Sequence, residues 1–180
     1  NSGVIRADAI GTDVAGNIVL NAGGSITLER ESRIGATGGE ISIESGGDTL
    51  VHGVVEARSE AGRGGSVKLL GERVGLFDDA KIDASGATGG GEVLIGGDYL
   101  GGGKGQTASA TFVGEDVSVT ADASAAGDGG SVIIWADDTT RVFGRISVRG
   151  GPVGGNGGFV ETSGKRYLDV SRAPDISAPS

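Results

Sequence analysis

Residues 86–114 read GATGGGEVLIGGDYLGGGKGQTASATFVG. Three readings compete for this stretch: a phosphate-binding loop, a flexible linker, or one corner of a repeating unit. The GGGKG run at 101–105 fails as a Walker A loop, which requires G-x-x-x-x-G-K-[ST] between a strand and a helix. Asp98 stands where the first Gly belongs, and Gly105 follows Lys104 where Ser or Thr would hold magnesium. No helical pattern follows. The apolar run Val93-Leu94-Ile95 behind a Gly pair is the part that recurs.

The pairs are Gly38-Gly39, Gly64-Gly65, Gly90-Gly91, Gly129-Gly130 and Gly157-Gly158, with Ala15-Gly16 as an earlier copy, at spacings of 23, 26, 26, 39 and 28. Counted from each pair, one column reads Ile18, Ile41, Val67, Val93, Val132, Val160, and a second reads Leu20, Ile43, Leu69, Ile95, Ile134, Thr162. Alternation with period two sends these residues inward and the residues between them outward. A closing ladder reads Ile5-Arg6-Ala7-Asp8, Ile34-Gly35-Ala36-Thr37, Val55-Glu56-Ala57-Arg58, Ile82-Asp83-Ala84-Ser85, Ala121-Asp122-Ala123-Ser124 and Ile146-Ser147-Val148-Arg149. A middle strand lies between, as in Val74-Gly75-Leu76 or Val142-Phe143-Gly144. Three short strands per turn with Gly, Asp and Ser corners predict an all-β parallel β-helix, a solenoid of about six coils of roughly 26 residues. Six coils at the interstrand spacing make a rod about 30 Å long. Propeller blades are longer, nearer 40–45 residues.

Composition agrees. Gly makes up 38 of 180 residues and Pro only 3, without a collagen period, and apolar content of 37% is too high for disorder. The formal charge of −9 disfavours nucleic acid and anionic membrane as partners. No apolar run is long enough for a membrane helix, and Cys is absent. The start NSGVIRA reads as part of a larger polypeptide, so residues 1–180 are expected to form a single β-helix segment, with a tail at 171–180. The interval from Gly90 to Gly129 exceeds its neighbours by about 13 residues, placing an insertion near 101–111.

The runs GGGEVLIGGDYL at 89–100 and GGSVIIWADDTTRVFGRISVRGGPVGGNGGFVETSGKRYL at 129–168 resemble large exoproteins of the filamentous-haemagglutinin type, two-partner-secretion adhesins of Gram-negative bacteria. The W-A-D-x-T-T-R-[FV]-x-G-x-I pattern at Trp135–Ile146 is the most specific part. The resemblance implies a right-handed β-helical rod, exported through an outer-membrane barrel partner to the cell surface or medium. Adhesins, biofilm-matrix proteins and toxin-delivery stalks share this build. The segment is expected to carry neither the amino-terminal secretion domain nor a toxin-like tail, and hence to be a shaft without catalysis, presenting faces for cells, matrix, carbohydrate or further copies of itself. A polysaccharide lyase or hydrolase on the same fold, and a self-assembling filament subunit, are the alternatives.

Candidate chemistry is sparse. Asp78-Asp79 and Asp137-Asp138 are the acidic pairs; they fall on different sides of the coil and read as corner residues. His52 is the sole histidine and reads as a surface side chain. No cofactor is expected; structural calcium at acidic corners is compatible with the composition, though the GGxGxDxUx nonapeptide is missing. The outward positions hold one anomaly. Leu94 and Ile133 stack where Ser42 and Lys68 stand earlier, Trp135 follows on the same side, and Phe159 faces outward on the last coil. Together with Tyr99 these form a candidate interaction patch, unless the insertion, bringing Tyr99 and Phe112, covers it. At the ends, the amino-terminal coil is expected to stay open, and Pro174 and Pro179 to stop strand pairing.

Overall fold

At the glycine pairs the backbone of one turn meets the backbone of the next. A Cβ on Gly64 would lie 1.8 Å from Ala84 O, and one on Gly65 1.9 Å from Gly39 O. Only glycine permits that approach. The structure, a computed structural model, describes residues 3–7, 16–103 and 105–179. Asp8 of the closing ladder, Ala15 of the first pair and Lys104 of the GGGKG run lie outside the described residues, as does most of the amino-terminal stretch expected to stay open.

The strands form three parallel six-stranded sheets. The first holds β1 (Val4–Ala7), β4 (Arg33–Ala36), β7 (Val54–Glu56), β10 (Lys81–Asp83), β13 (Ser118–Thr120) and β16 (Arg145–Ser147). The second holds β2 (Ile18–Ala22), β5 (Glu40–Ser45), β8 (Ser66–Leu70), β11 (Glu92–Ile95), β14 (Ser131–Ala136) and β17 (Phe159–Gly164). The third holds β3 (Ile26–Leu28), β6 (Asp48–Val51), β9 (Arg73–Leu76), β12 (Ala110–Val113), β15 (Thr139–Val142) and β18 (Tyr167–Val170). Each strand pairs with those three before and three after it in the chain, which is the topology of a β-solenoid of six turns.

Both inward columns of the second sheet stand in the expected register: Ile18 over Ile41, then Val67, Val93, Val132 and Val160, and Ile43 over Leu69, Ile95 and Ile134. They meet the inner residues of the other sheets, such as Ile34, Val55, Ile82, Val51 and Leu76, in one continuous buried core. Burial of each such side chain contributes about 1.5–3 kcal/mol.

Three expected placements shift. In the closing ladder Val119, not Ala121, stacks between Ile82 and Ile146. Ala121 lies two residues on and still faces inward, because a two-residue slip preserves the pleat. In the middle strand Leu76 aligns with Val113 and Val142, while Phe143 and Gly144 belong to the next corner. The extra residues of the fourth coil occupy 96–109, between β11 and β12, so Thr111 lies within a strand. The corresponding link between β5 and β6 is only Gly46-Gly47.

The tail also departs from expectation. Pro174 does not end pairing: Asp175 bridges Ser147, its N–H donating to Ile146 O at 2.9 Å and its carbonyl accepting from Val148 N at 2.9 Å. Proline removes its own donor but leaves the following residue free to pair.

Ile95 is fully buried. Ile95→Asp is expected to abolish the folded state by placing an unpaired charge between stacked coils. Lys68→Ser is expected to fold normally, since Ser42 occupies the same outward column one coil earlier. Circular dichroism melts of the two variants check both outcomes.

Candidate functional site

The face formed by the outward side of the second sheet is built by the insertion as much as by the strands. Leu94, Ile133 and Glu161 stand in one outward column on three successive coils, with Trp135 in the next. From its corner after β11 the chain crosses this face to the last coil. Leu100 N donates to Glu161 Oε2 at 3.2 Å, and the Tyr99 ring meets Phe159 edge-on at 5.8 Å. A strap that reaches Phe159 and Glu161 from the fourth coil passes over Ile133 and Trp135 of the fifth. Leu94, Ile133 and Trp135 are accordingly only 5–7% exposed, whereas Tyr99 and Phe159 remain about half exposed. The five candidate patch residues thus divide into a floor that the insertion covers, the cover expected from the sequence, and an exposed aromatic pair. Phe112 takes no part in the cover; it belongs to the third sheet.

Glycine makes the cover close-fitting. A Cβ on Gly97 would lie 2.8 Å from Trp135 Cδ1 and one on Gly101 2.4 Å from Trp135 Cζ2. Gly101 and Gly103 adopt positive φ, and so does Leu100, at 54°. The strap closes at its base through Ala108 N donating to Gly96 O at 2.6 Å. Thr107 Oγ1 donates to Asp137 Oδ2 at 2.6 Å, and Lys165 Nζ donates to Asp137 Oδ1 at 2.5 Å. The Lys165 ammonium lies 5.7 Å from the Trp135 ring centroid. Trp135 Nε1 is buried without a hydrogen bond of good geometry, yet the indole N–H lies near enough to add, after Lys165 and Thr107, to the lowering of the Asp137 carboxyl.

The acidic pairs sit on separate corners, as expected, and each is tied to basic neighbours. Asp78 takes a bond from His52 Nδ1 at 2.7 Å and an ion pair from Arg30 at 2.7 Å, and Asp138 lies 3.7 Å from Arg166. His52 is half-buried, its ring stacked on Phe77 at 5.4 Å. Among the described residues no group of three or more His, Asp or Glu converges as a metal-ligand set.

A polar groove of about 610 Å³ beside the first sheet brings Arg58, Asp122 and Arg149 together with Ser85 and Ser124. All five stand in the closing ladder, where no motif marks them as a site. Asp122 is fully engaged. Its Oδ1 accepts from Ser147 Oγ and Arg149 N, each at 2.7 Å, and its Oδ2 from Arg149 Nε at 2.9 Å and Nη2 at 2.7 Å. Asp83, the neighbouring carboxylate, accepts from Ser85 N at 2.9 Å and pairs with Arg58 at 3.4 Å.

Two further features went unread. His52, Phe77, Phe112 and Phe143 form an aromatic column along the third sheet, with centroid separations of 5.4, 5.3 and 5.8 Å. Gly75 admits Phe77 to it, since a Cβ there would lie 2.4 Å from the ring. Inside, Thr49, Thr111 and Thr140 each donate to a carbonyl of the next coil at 2.7 Å: Leu70, Trp135 and Ser163. The threonines recur in the sequence, but no residue-level pattern distinguishes an inward hydroxyl from an outward one.

Several carboxyls lie below their ordinary range. The hydrogen bond from His52 lowers Asp78, with Arg30 adding to it; Arg73, bidentate on Asp48 at 2.8 and 2.6 Å, lowers Asp48; Lys165 and then Thr107 lower Asp137. A carboxyl depressed on folding stabilises the protein above its unfolded pKa, about 4, and loses that contribution as pH falls through the folded value. The melting temperature is therefore expected to hold from neutrality to about pH 5 and fall below about pH 4. Asp78→Asn should melt lower than the parent at neutral pH, the difference shrinking in acid. Thermal melts across pH read both.

The molecule is thus a three-sheet parallel β-solenoid with one strapped face. No protein-family model matches the chain, and no curated protein matches it. Among solved structures it is similar to the HMW1 secretion domain from Haemophilus influenzae, with a TM-score of 0.64 and 25% identity, over 91% of this chain and 59% of that one. The chain spans about three-fifths of that structure's length. The sequence expectation placed this segment outside any secretion domain; the structural likeness is to a secretion domain.

Proposed function

We propose that the chain is a structural and adhesive β-solenoid segment of a secreted surface exoprotein of the two-partner type, carried across the outer membrane of a Gram-negative bacterium by a barrel partner. The observation that carries this reading is the coil-to-coil construction. Surface ion pairs run from one coil to the next, as Arg33 with Glu56, Lys68 with Glu40, Arg73 with Asp48 and Lys165 with Asp137, while the pair of Arg149 and Asp122 lines one groove. Each coil adds to the last through the same contacts, so the fold suits stepwise growth of a rod. The resemblance of the Trp135–Ile146 run to two-partner-secretion adhesins and the likeness to a secretion domain support the export route.

The groove holding Arg58, Asp122 and Arg149 favours the enzymatic alternative in composition. It does so less in chemistry, because Asp122 has both oxygens occupied and a general base needs a free acceptor. The purified protein, coated on beads, is expected to attach to bacterial or host surfaces while releasing no unsaturated or reducing ends from a panel of polysaccharides. Product formation that disappears in Asp122→Asn would overturn the reading in favour of a lyase or hydrolase.

A further inference from the structure

The outward face of the third sheet dips where its side chains are smallest. Gly75 and Ala110 stand on successive coils, and Thr139 lies beside Ala110 on the next. The groove they leave measures about 410 Å³, with Leu50, Phe77 and Phe112 as its apolar walls. We propose that this groove binds a small aromatic carboxylate, its flat body on the Gly75–Ala110 floor and its charged group on Arg141 and Thr139. The site lies on a different sheet from the covered face and goes beyond the adhesive reading, which does not depend on it.

The walls are fixed in advance. A Cβ on Gly75 would lie 2.4 Å from the Phe77 ring, so the glycine is what lets Phe77 fold back over the strand. That ring stacks on Phe112 at 5.3 Å and on His52 at 5.4 Å, and Phe143 braces Phe112 edge-on at 5.8 Å. Four rings in contact hold their shape without a ligand, and a preorganised wall costs a ligand little on binding. Sites for small molecules are apolar hollows of about 300–1,000 Å³ with a few polar groups at fixed places. This groove falls in that range. A folded partner needs a far wider face, about 800 Å² per side.

The charge of the ligand follows from the donors at the rim. At one end Arg73 holds Asp48 through two hydrogen bonds, at 2.8 and 2.6 Å, so the two are engaged with each other. At the other end stand Thr139 and Arg141, outward residues of β15. Among the described residues neither side chain makes a hydrogen bond or an ion pair. The Arg141 guanidinium lies over the Tyr167 ring, 5.4 Å from its centroid. Asp169 stands beside Arg141 in the register of β15 and β18, where the coil-to-coil pattern would pair them. It accepts instead from Tyr167 Oη at 3.5 Å and leaves the guanidinium to the ring. A guanidinium stacked in this way keeps its N–H donors for a carboxylate, which it takes through two parallel bonds. Asp48 and Asp169 flank the groove, so a doubly charged phosphate meets more repulsion there than a carboxylate with its single charge.

A naphthoate is the probe, and the matching naphthalenemethanol is its neutral control. Each is titrated against the full chain and followed by saturation-transfer NMR and calorimetry. The naphthoate is expected to bind with a dissociation constant of about 1 mM or tighter, the affinity that ordinary contact gives a ligand of its size. The alcohol should bind at least about 10-fold more weakly, because it cannot form charged hydrogen bonds. Arg141→Met should make the two bind alike. Asp169→Asn removes a neighbouring negative charge and should tighten the naphthoate up to about 5-fold. Ala110→Leu fills the floor and should abolish binding of both. Should that variant lose its far-ultraviolet spectrum, Thr139→Leu fills the same groove from the rim and is read in its place. No naphthoate binding at about 5 mM, undiminished binding by the filled variant, or a preference for the acid that survives Arg141→Met overturns the site. Attachment of coated beads is measured separately, so failure here leaves the rod reading standing.

Discussion

The structure depends on the distance at which one coil's backbone rests on the next. Parallel strands stack at the hydrogen-bonding spacing, and that spacing must hold at the corners as well as in the sheets. At the corners before the second sheet it brings carbonyls into positions that any β-carbon would occupy, as at Gly64 beside Ala84 O and Gly65 beside Gly39 O. The glycine pairs therefore fix where each turn begins. Once the starts are aligned, period two decides the rest: the residue two positions beyond the pair faces inward on every coil, and the core builds itself from Ile, Val and Leu columns.

This explains which parts of the fold were legible in the sequence. The second sheet was read residue by residue, because it follows directly from the glycine pairs. The first sheet was read less well, and the error at Ala121 has a physical cause. The corner between the first and second sheets runs from 121 to 130 on that coil but only from 37 to 39 on the second. A ladder aligned backwards across corners of unequal length slips, and it slips by two because the pleat conceals an even shift. The covered face was legible in part. Leu94 and Ile133 are conspicuous among outward residues, but the passage of the insertion over them depends on Gly97 and Gly101 fitting against one indole, a contact between sequence-distant residues that no local pattern encodes. Phe112 misled for the same reason. Its chain position suggests the insertion, while the strand it sits in stacks it between Phe77 and Phe143.

Charge is arranged along the axis of the stack. Acidic residues on strands and corners alike are met by Arg and Lys from a neighbouring coil, as Arg73 meets Asp48 and Lys165 meets Asp137. Exposed pairs of this kind contribute modestly, about 0–1 kcal/mol each. Their larger effect is on register, because a coil shifted by one position would set each basic side chain beside the wrong corner. The buried Asp122 differs: with four hydrogen bonds and a guanidinium clamp it fixes one corner of the first sheet against the tail.

The inward threonines carry a different implication. Thr49, Thr111 and Thr140 each bond forward to a main-chain carbonyl of the following coil. A carbonyl is present at that point whatever residue the following coil carries. That bond is thus indifferent to the side chain it meets, and where the glycine corners are kept a gene encoding such a chain can gain or lose whole turns by duplication and deletion without remaking it. Length becomes a freely adjustable trait, separable from the faces that individual coils display.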